Sequence, residues 1–315
     1  MRLILYRREG WVPRALPIVG LLLVLVLTSC GEDSGATGGP KVTQRITRDF
    51  GRVLLSAQDR VALPEPPRAM RLLRDHVEVD SGYRGELVEG IDGLKQEPKL
   101  RKTFWQWYVN GIETDPLPPE YKLYPNDVVQ WDLRYWRTNR YDVRATVGAF
   151  PEFFTSGFDG ERFPVRVLCA DDSSFACRHV KRVLRAAGVR LGPGPRSTFI
   201  RGRVLVGPWE HWRDRPWPKQ LDRGPIYSGV FARFSADGEE LRLLDRDGRP
   251  VRSERGDVGL VAAQRPSEVD FMWLVTGLNE QGVDRAARAM DSDRLRDAYA
   301  LVVTPDGDVK VPTAR

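Results

Sequence analysis

Three groups of side chains have types and spacings that could do chemistry: cysteines at 30, 169 and 177, histidines at 76, 179 and 211, and the aromatics crowded between Thr103 and Trp136. Cys169 and Cys177 form an even pair for which a disulfide is the expectation in an oxidising compartment, the alternative being two buried thiols. Only His179 lies near them, too few ligands for zinc. A Ser-His-Asp or Cys-His site would have to draw on His179 or His211, and in "LGPGP", 191–195, proline stands where a phosphate nest needs amide donors. Carboxylate pairs such as Asp171-Asp172 and Glu239-Glu240 are unremarkable among 43 acidic residues, and the first of them suits the positive end of a following helix. No residue is nominated as catalytic, no metal or cofactor is expected, and a non-enzymatic protein is the reading.

The aromatics point to binding instead. In "TFWQWYVNG" a strand would place Trp105, Trp107 and Val109 on one face and Phe104, Gln106 and Tyr108 on the other. Trp105, Trp107 and Tyr108 beside Asn110 could make a flat platform with amide and hydroxyl handles, suited to a large planar ligand fringed with polar groups. The alternation leaves a second possibility open, that one face is core and the other a ligand or domain interface. A second group, Trp209, Trp212 and Trp217 in "VGPWEHWRDRPWPKQ", either covers the core or recognises a sugar or partner.

The N-terminus carries a targeting segment. Arg2, Arg7, Arg8 and Arg14 precede an apolar run, Leu16–Leu27, that is shorter than the ~20 residues of a spanning helix. It ends in Leu27-Thr28-Ser29-Cys30, which resembles the bacterial lipoprotein signal, an apolar residue and two small ones before the cysteine that takes diacylglycerol in thioether linkage. Residues 1–29 are thus read as a lipoprotein signal peptide, Cys30 as the lipidation site, and 30–40 as a Gly- and Ser-rich tether. The rest is expected at the extracytoplasmic face of the cell membrane, held by lipid. With a net charge of +6 an anionic partner is conceivable, but basic and acidic residues alternate along most of the chain, so no nucleic acid is expected.

The elements that must position these residues follow from periodicity. From Lys41 an alternating pattern reads as two strands or a hairpin, ending at Pro64, Pro66 and Pro67. A helix follows with Pro67 in its first position and Ala69, Leu72, Leu73 and Val77 on one stripe. "GELVEGIDGL" reads as a short strand and turn, and Asn110-Gly111 as a tight reversal. Val129, Trp131, Leu133 and Tyr135 then alternate with Gln130, Asp132 and Arg134 in a strand apolar on one face and wet on the other. Beyond a linker at Thr138–Val147, strands are expected at Val165–Leu168, Thr198–Val206, Ile226–Phe234, Leu241–Leu244, Gly259–Ala263 and Tyr299–Val303. One helix is capped at Ser173 or Ser174 and closed by Gly188, and another carries Val283, Ala286, Ala287 and Met290. The expected fold class is α+β, with a β-grasp-like domain over 41–137, a mixed sheet on one helix, and an α/β domain over 138–315.

Residues 41–136 resemble the transcobalamin-like C-terminal domain. Ile91-Asp92-Gly93, "YVNG" at Tyr108–Gly111 and "NDVVQW" at Asn126–Trp131 match its steps, with Asn126 where a Gly is usual. The resemblance implies a β-grasp fold and capture of a corrinoid, cobalamin or a related nutrient, with Trp105, Trp107, Tyr108 and Asn110 as ligand residues. The rival expectation is a non-catalytic adhesion or assembly module that binds protein or wall polymer.

Overall fold

The alternating segment after Lys41 pairs as an antiparallel hairpin of β1 (Lys41–Arg48) and β2 (Val53–Ala62). Helix α1 (Ala69–His76) follows and buries Ala69, Leu72 and Leu73, the stripe its spacing presents; Arg68 is its N-cap, so Pro67 precedes the helix instead of opening it. The aromatic strand β3 (Thr103–Val109) turns back through Asn110-Gly111 into β4 (Ile112–Glu113), both turn residues having the positive φ that this reversal requires. Strand β5 (Val128–Tyr135) pairs parallel with β1 and antiparallel with β3, so the sheet order is β2-β1-β5-β3-β4. One helix lies on this mixed sheet, which is the β-grasp arrangement expected for the segment.

The second half is built on β6 (Val165–Cys169), β7 (Arg201–Pro208), β8 (Gly259–Ser267), β9 (Asp270–Gly277), β10 (Ala300–Thr304) and β11 (Gly307–Val311). Their order is β11-β10-β8-β9-β7-β6, with β6, β7 and β9 parallel and the remaining neighbours antiparallel. Helices α2 (Phe175–Ala186) and α3 (Glu280–Arg288) bury Val180, Leu184, Val283 and Ala286 in one core with Val204, Val206, Val261 and Trp273 of the sheet. The described residues form an α+β fold. Of the expected strand at Ile226–Phe234, only Ala232–Phe234 is extended; Pro225–Ser228 is a helical turn that Gly229 closes with a positive φ.

The computed structural model describes residues 39–135, 143–192 and 201–314. The signal segment, Cys30 and the tether up to residue 38 lie outside them, as do residues 136–142, where the expected domain boundary falls. No helix among the described residues is long and apolar enough to cross a membrane. Gly38–Arg315 is one compact unit. Within it Val143, Ala145 and Val147, expected in a linker, are buried, and Ala145 bridges to Ile112 of β4.

The wet face expected of β5 is dry. Gln130, Asp132 and Arg134 are buried, as are Thr47 and Arg45 beside them on β1 and Tyr108 on β3. The second half of the chain covers this face: Tyr299 donates to Asp132 Oδ2 at 3.1 Å, Tyr108 donates to the Val143 carbonyl at 3.0 Å, and the two tyrosine rings meet edge-on at 5.7 Å. Buried polar groups survive where each finds a partner. Asp132 has four, accepting also from Thr47 Oγ1 at 2.7 Å, Phe50 N at 2.9 Å and Gly51 N at 3.0 Å.

Candidate functional site

The four aromatic-strand residues do not share a surface. Trp105 and Trp107 point under α1, each 8% exposed, in a core with Leu72, Leu73, Val109 and Trp131. Trp107 stacks on Trp131 at 5.4 Å and meets Tyr121 edge-on, and Trp105 Nε1 donates to the Leu94 carbonyl at 3.3 Å. Tyr108 and Asn110 are buried on other business. Asn110 Nδ2 donates to Asp127 Oδ1 at 2.8 Å and to the Gly157 carbonyl at 3.1 Å, while its Oδ1 accepts from Val128 N at 2.9 Å. The flat platform is therefore absent: alternation sends neighbouring side chains to opposite faces, and both faces are covered, one by α1 and the other by the second half of the chain.

Several ionisable groups in this region are displaced from their ordinary values, Asp127 and Tyr108 among them. Burial raises the Asp127 carboxyl to about 6, against the opposing pull of hydrogen bonds from Tyr124 N and Asn110. Burial also raises the Tyr108 hydroxyl, with Arg134 opposing.

The open surface of the β-grasp sheet lies at its end. A cleft of about 790 Å³ forms where β1 ends, β2 begins and β5 ends, closed on the far side by the 94–101 loop. Leu94, Leu133 and Tyr135 supply apolar lining; Arg48, Arg52, Lys95, Arg101 and Arg246 supply cations against only Asp49 and Glu97. Four of these cations are engaged: Arg52 pairs with Asp49 at 3.3 Å, Arg101 with Glu97 at 3.2 Å, Lys95 with Asp80 at 3.4 Å, and Arg246 lies 4.8 Å over the Tyr135 ring. Sequence reading passed over these residues because they come from four separated segments. The one local signal was Leu100, an apolar residue that the charged stretch "KLRK" leaves 83% exposed.

In the second half, Cys169 at the end of β6 and Cys177 in the first turns of α2 are joined in a disulfide, as expected, with Cα atoms 5.9 Å apart. Among the described residues Asp172 is the one other ligating group beside the two sulfurs, and the disulfide leaves no thiolate for a metal. Ser174 caps α2, accepting from Cys177 N at 3.1 Å. A cleft of about 510 Å³ opens next to it, outside the carboxyl ends of β6 and β7, where parallel sheets commonly bind ligands. Asp171, Glu210, Glu280, Asp284 and His211 line it. Hydrogen bonds from Ser173 hold the Asp171 carboxyl below the usual carboxylate range. His179 is not in this cleft; it stacks on Phe175 at 5.2 Å, and burial followed by Arg182 lowers its pKa.

Of the second aromatic group, Trp209 and Trp212 are core, Trp209 stacking on Phe234 at 4.5 Å, whereas Trp217 is 40% exposed.

With this geometry in view, the described chain is an α+β protein whose clefts lie at sheet ends. A family model described as a domain of unknown function (DUF4430) matches residues 68–134, from α1 to the end of β5. No curated protein matches the chain.

Proposed function

We propose that the chain is an extracytoplasmic lipoprotein, anchored through lipid on Cys30, whose β-grasp module takes a ligand in the cleft bounded by Arg48, Arg52, Arg101 and Tyr135. The observation that carries this reading is the make-up of that cleft, five cationic side chains around an apolar lining in a volume within the usual 300–1,000 Å³ range of ligand pockets. Such a lining suits a ligand with an apolar body and an anionic or strongly accepting edge.

A corrinoid has that character, with a broad macrocycle, peripheral amides and, in cobalamin, a phosphodiester. The transcobalamin-like resemblance of residues 41–136, which overlaps the matched segment 68–134, supports corrinoid as the ligand class. Because Trp105 and Trp107 are core, ligand contact is assigned to the cleft and not to the aromatic strand.

The test is calorimetric titration of the full chain in detergent with cyanocobalamin and with cobinamide, repeated on Arg101→Glu. Saturable binding that weakens in the variant supports the reading; no heat with either corrinoid overturns it. The anchor is tested separately, since incorporation of a labelled lipid precursor should vanish in Cys30→Ala.

A further inference from the structure

Two of the cations in the cleft at the end of β5 are not neutralised. Arg52, Arg101 and Lys95 each pair with a carboxylate, whereas Arg48 and Arg246, both exposed, have no such partner among the described residues. Arg246 is held over the Tyr135 ring, a contact that fixes its position and leaves its charge uncompensated. Arg48 ends β1 opposite Leu133 in the parallel register with β5. Leu133 and Tyr135 are two residues apart, about 7 Å along a strand, a span that two arginine stems lining the same cleft can close.

The segments that carry both arginines are fixed in advance. Asp49, Phe50 and Gly51, which follow Arg48, have φ of 58°, 61° and 74°. Left-handed backbone is strained at a residue other than glycine and persists where its surroundings hold it, often beside a ligand site. Here Asp132 holds it, accepting from Phe50 N at 2.9 Å and Gly51 N at 3.0 Å. The turn leaves Asp49 paired with Arg52, so the adjacent carboxylate does not neutralise Arg48. The turn that carries Arg246 is held likewise: the buried Asp245 carboxylate accepts from Asp247 N and Arg249 N, both at 2.9 Å.

We infer that Arg48 and Arg246 together clamp a phosphodiester of the ligand, each donating to its oxygens from a different side. The inference rests on the corrinoid reading of this cleft and narrows it to ligands that carry a phosphoryl group. A planar carboxylate is filled by one guanidinium through two parallel hydrogen bonds, whereas a tetrahedral phosphoryl group presents oxygens in several directions and takes two guanidinium groups that arrive from separate segments. Holding the two segments in place beforehand lowers the ordering cost of binding.

The first probe is dimethyl phosphate, a phosphodiester without a corrinoid, titrated into the full chain in detergent while isotope-labelled arginine side chains are followed by NMR. The Arg48 and Arg246 Nε resonances should move together and saturate in the millimolar range, and Arg246→Gln should weaken the response at Arg48 roughly 10-fold. The second probe is the pair cyanocobalamin and cobinamide, which lacks the phosphodiester, compared by calorimetry. Loss of one charge-assisted contact costs roughly 10-fold, so Arg48→Gln combined with Arg246→Gln should cut the preference for cyanocobalamin over cobinamide roughly 100-fold. If the corrinoids bind but dimethyl phosphate moves only one arginine or neither, or the preference survives the double variant, the clamp is overturned and the corrinoid reading stands. If neither corrinoid binds while dimethyl phosphate moves both arginines together, the clamp stands and the corrinoid reading falls. No response to any of the three probes overturns both.

Discussion

Arg45 on the first strand and Asp297, 252 residues further along, form a buried bidentate pair, with Nε to Oδ1 at 2.9 Å and Nη2 to Oδ2 at 2.6 Å. The pair ties the β-grasp sheet to the segment before β10. Its hydrogen bonds raise the Arg45 pKa in spite of burial. The contact is reinforced at Gly51, where a Cβ would stand 1.8 Å from the Asp297 carbonyl oxygen and φ is +74°.

Removing one member of a buried pair leaves the other uncompensated and costs about 3–5 kcal/mol. Arg45→Met is therefore expected to lower the unfolding free energy by that amount in urea titrations. Arg45→Met combined with Asp297→Asn should recover part of the loss, because the stranded charge is gone. Equal losses in the single and double variants would show that the pair holds nothing together.

Gly51→Ala should be at least as damaging, since the added methyl meets backbone and the left-handed φ disfavours any side chain. A fall in Tm is expected with the fold's circular dichroism retained below the transition. An unchanged Tm would mean that the turn at Gly51 is not held against Asp297.

Asp127 titrates in an unusual window. Its folded pKa of about 6 lies above the ordinary 3.8, so between those values the folded chain keeps a proton that the unfolded chain has released. Its contribution to stability is complete below the unfolded value and is lost as pH rises through the folded one. The carboxyl carbon resonance of Asp127 should move with a midpoint near 6. A midpoint below 5 would mean the carboxyl is not desolvated as its surroundings require.

Asn110 is expected to matter for stability. Truncation in Asn110→Ala deprives Val128 N and Asp127 of partners and loses the residue type that tolerates φ of 53° at the turn, for a cost of about 2–3 kcal/mol. The same variant should leave corrinoid affinity unchanged, and a selective loss of affinity at full stability would return Asn110 to the ligand site.

The disulfide closes a short loop, and in the chain-entropy picture Cys177→Ala should cost about 2–3 kcal/mol. Ellman titration of the denatured, unreduced wild type should find no thiol from Cys169 or Cys177.

Much of the architecture was legible from local chemistry. The stripe of Ala69, Leu72 and Leu73 can only bury on one side of a helix, Asn110-Gly111 can take the left-handed pair of conformations, Ser174 can cap a helix, and two cysteines at a strand end and a helix start can meet. Each of these depends on neighbours a few residues away. What the other half of the chain covers is not a local property. Alternation along β5 separated Trp131 and Leu133 from Gln130, Asp132 and Arg134, and polarity alone gave the second group to water. Tertiary structure put them in a dry interface instead, because Tyr299, Phe50 and the Gly51 turn bring partners that satisfy Asp132 without solvent. The same packing consumed both faces of the aromatic strand, and among the described residues ligand-sized openings lie where sheets end, at sites assembled from segments far apart in sequence.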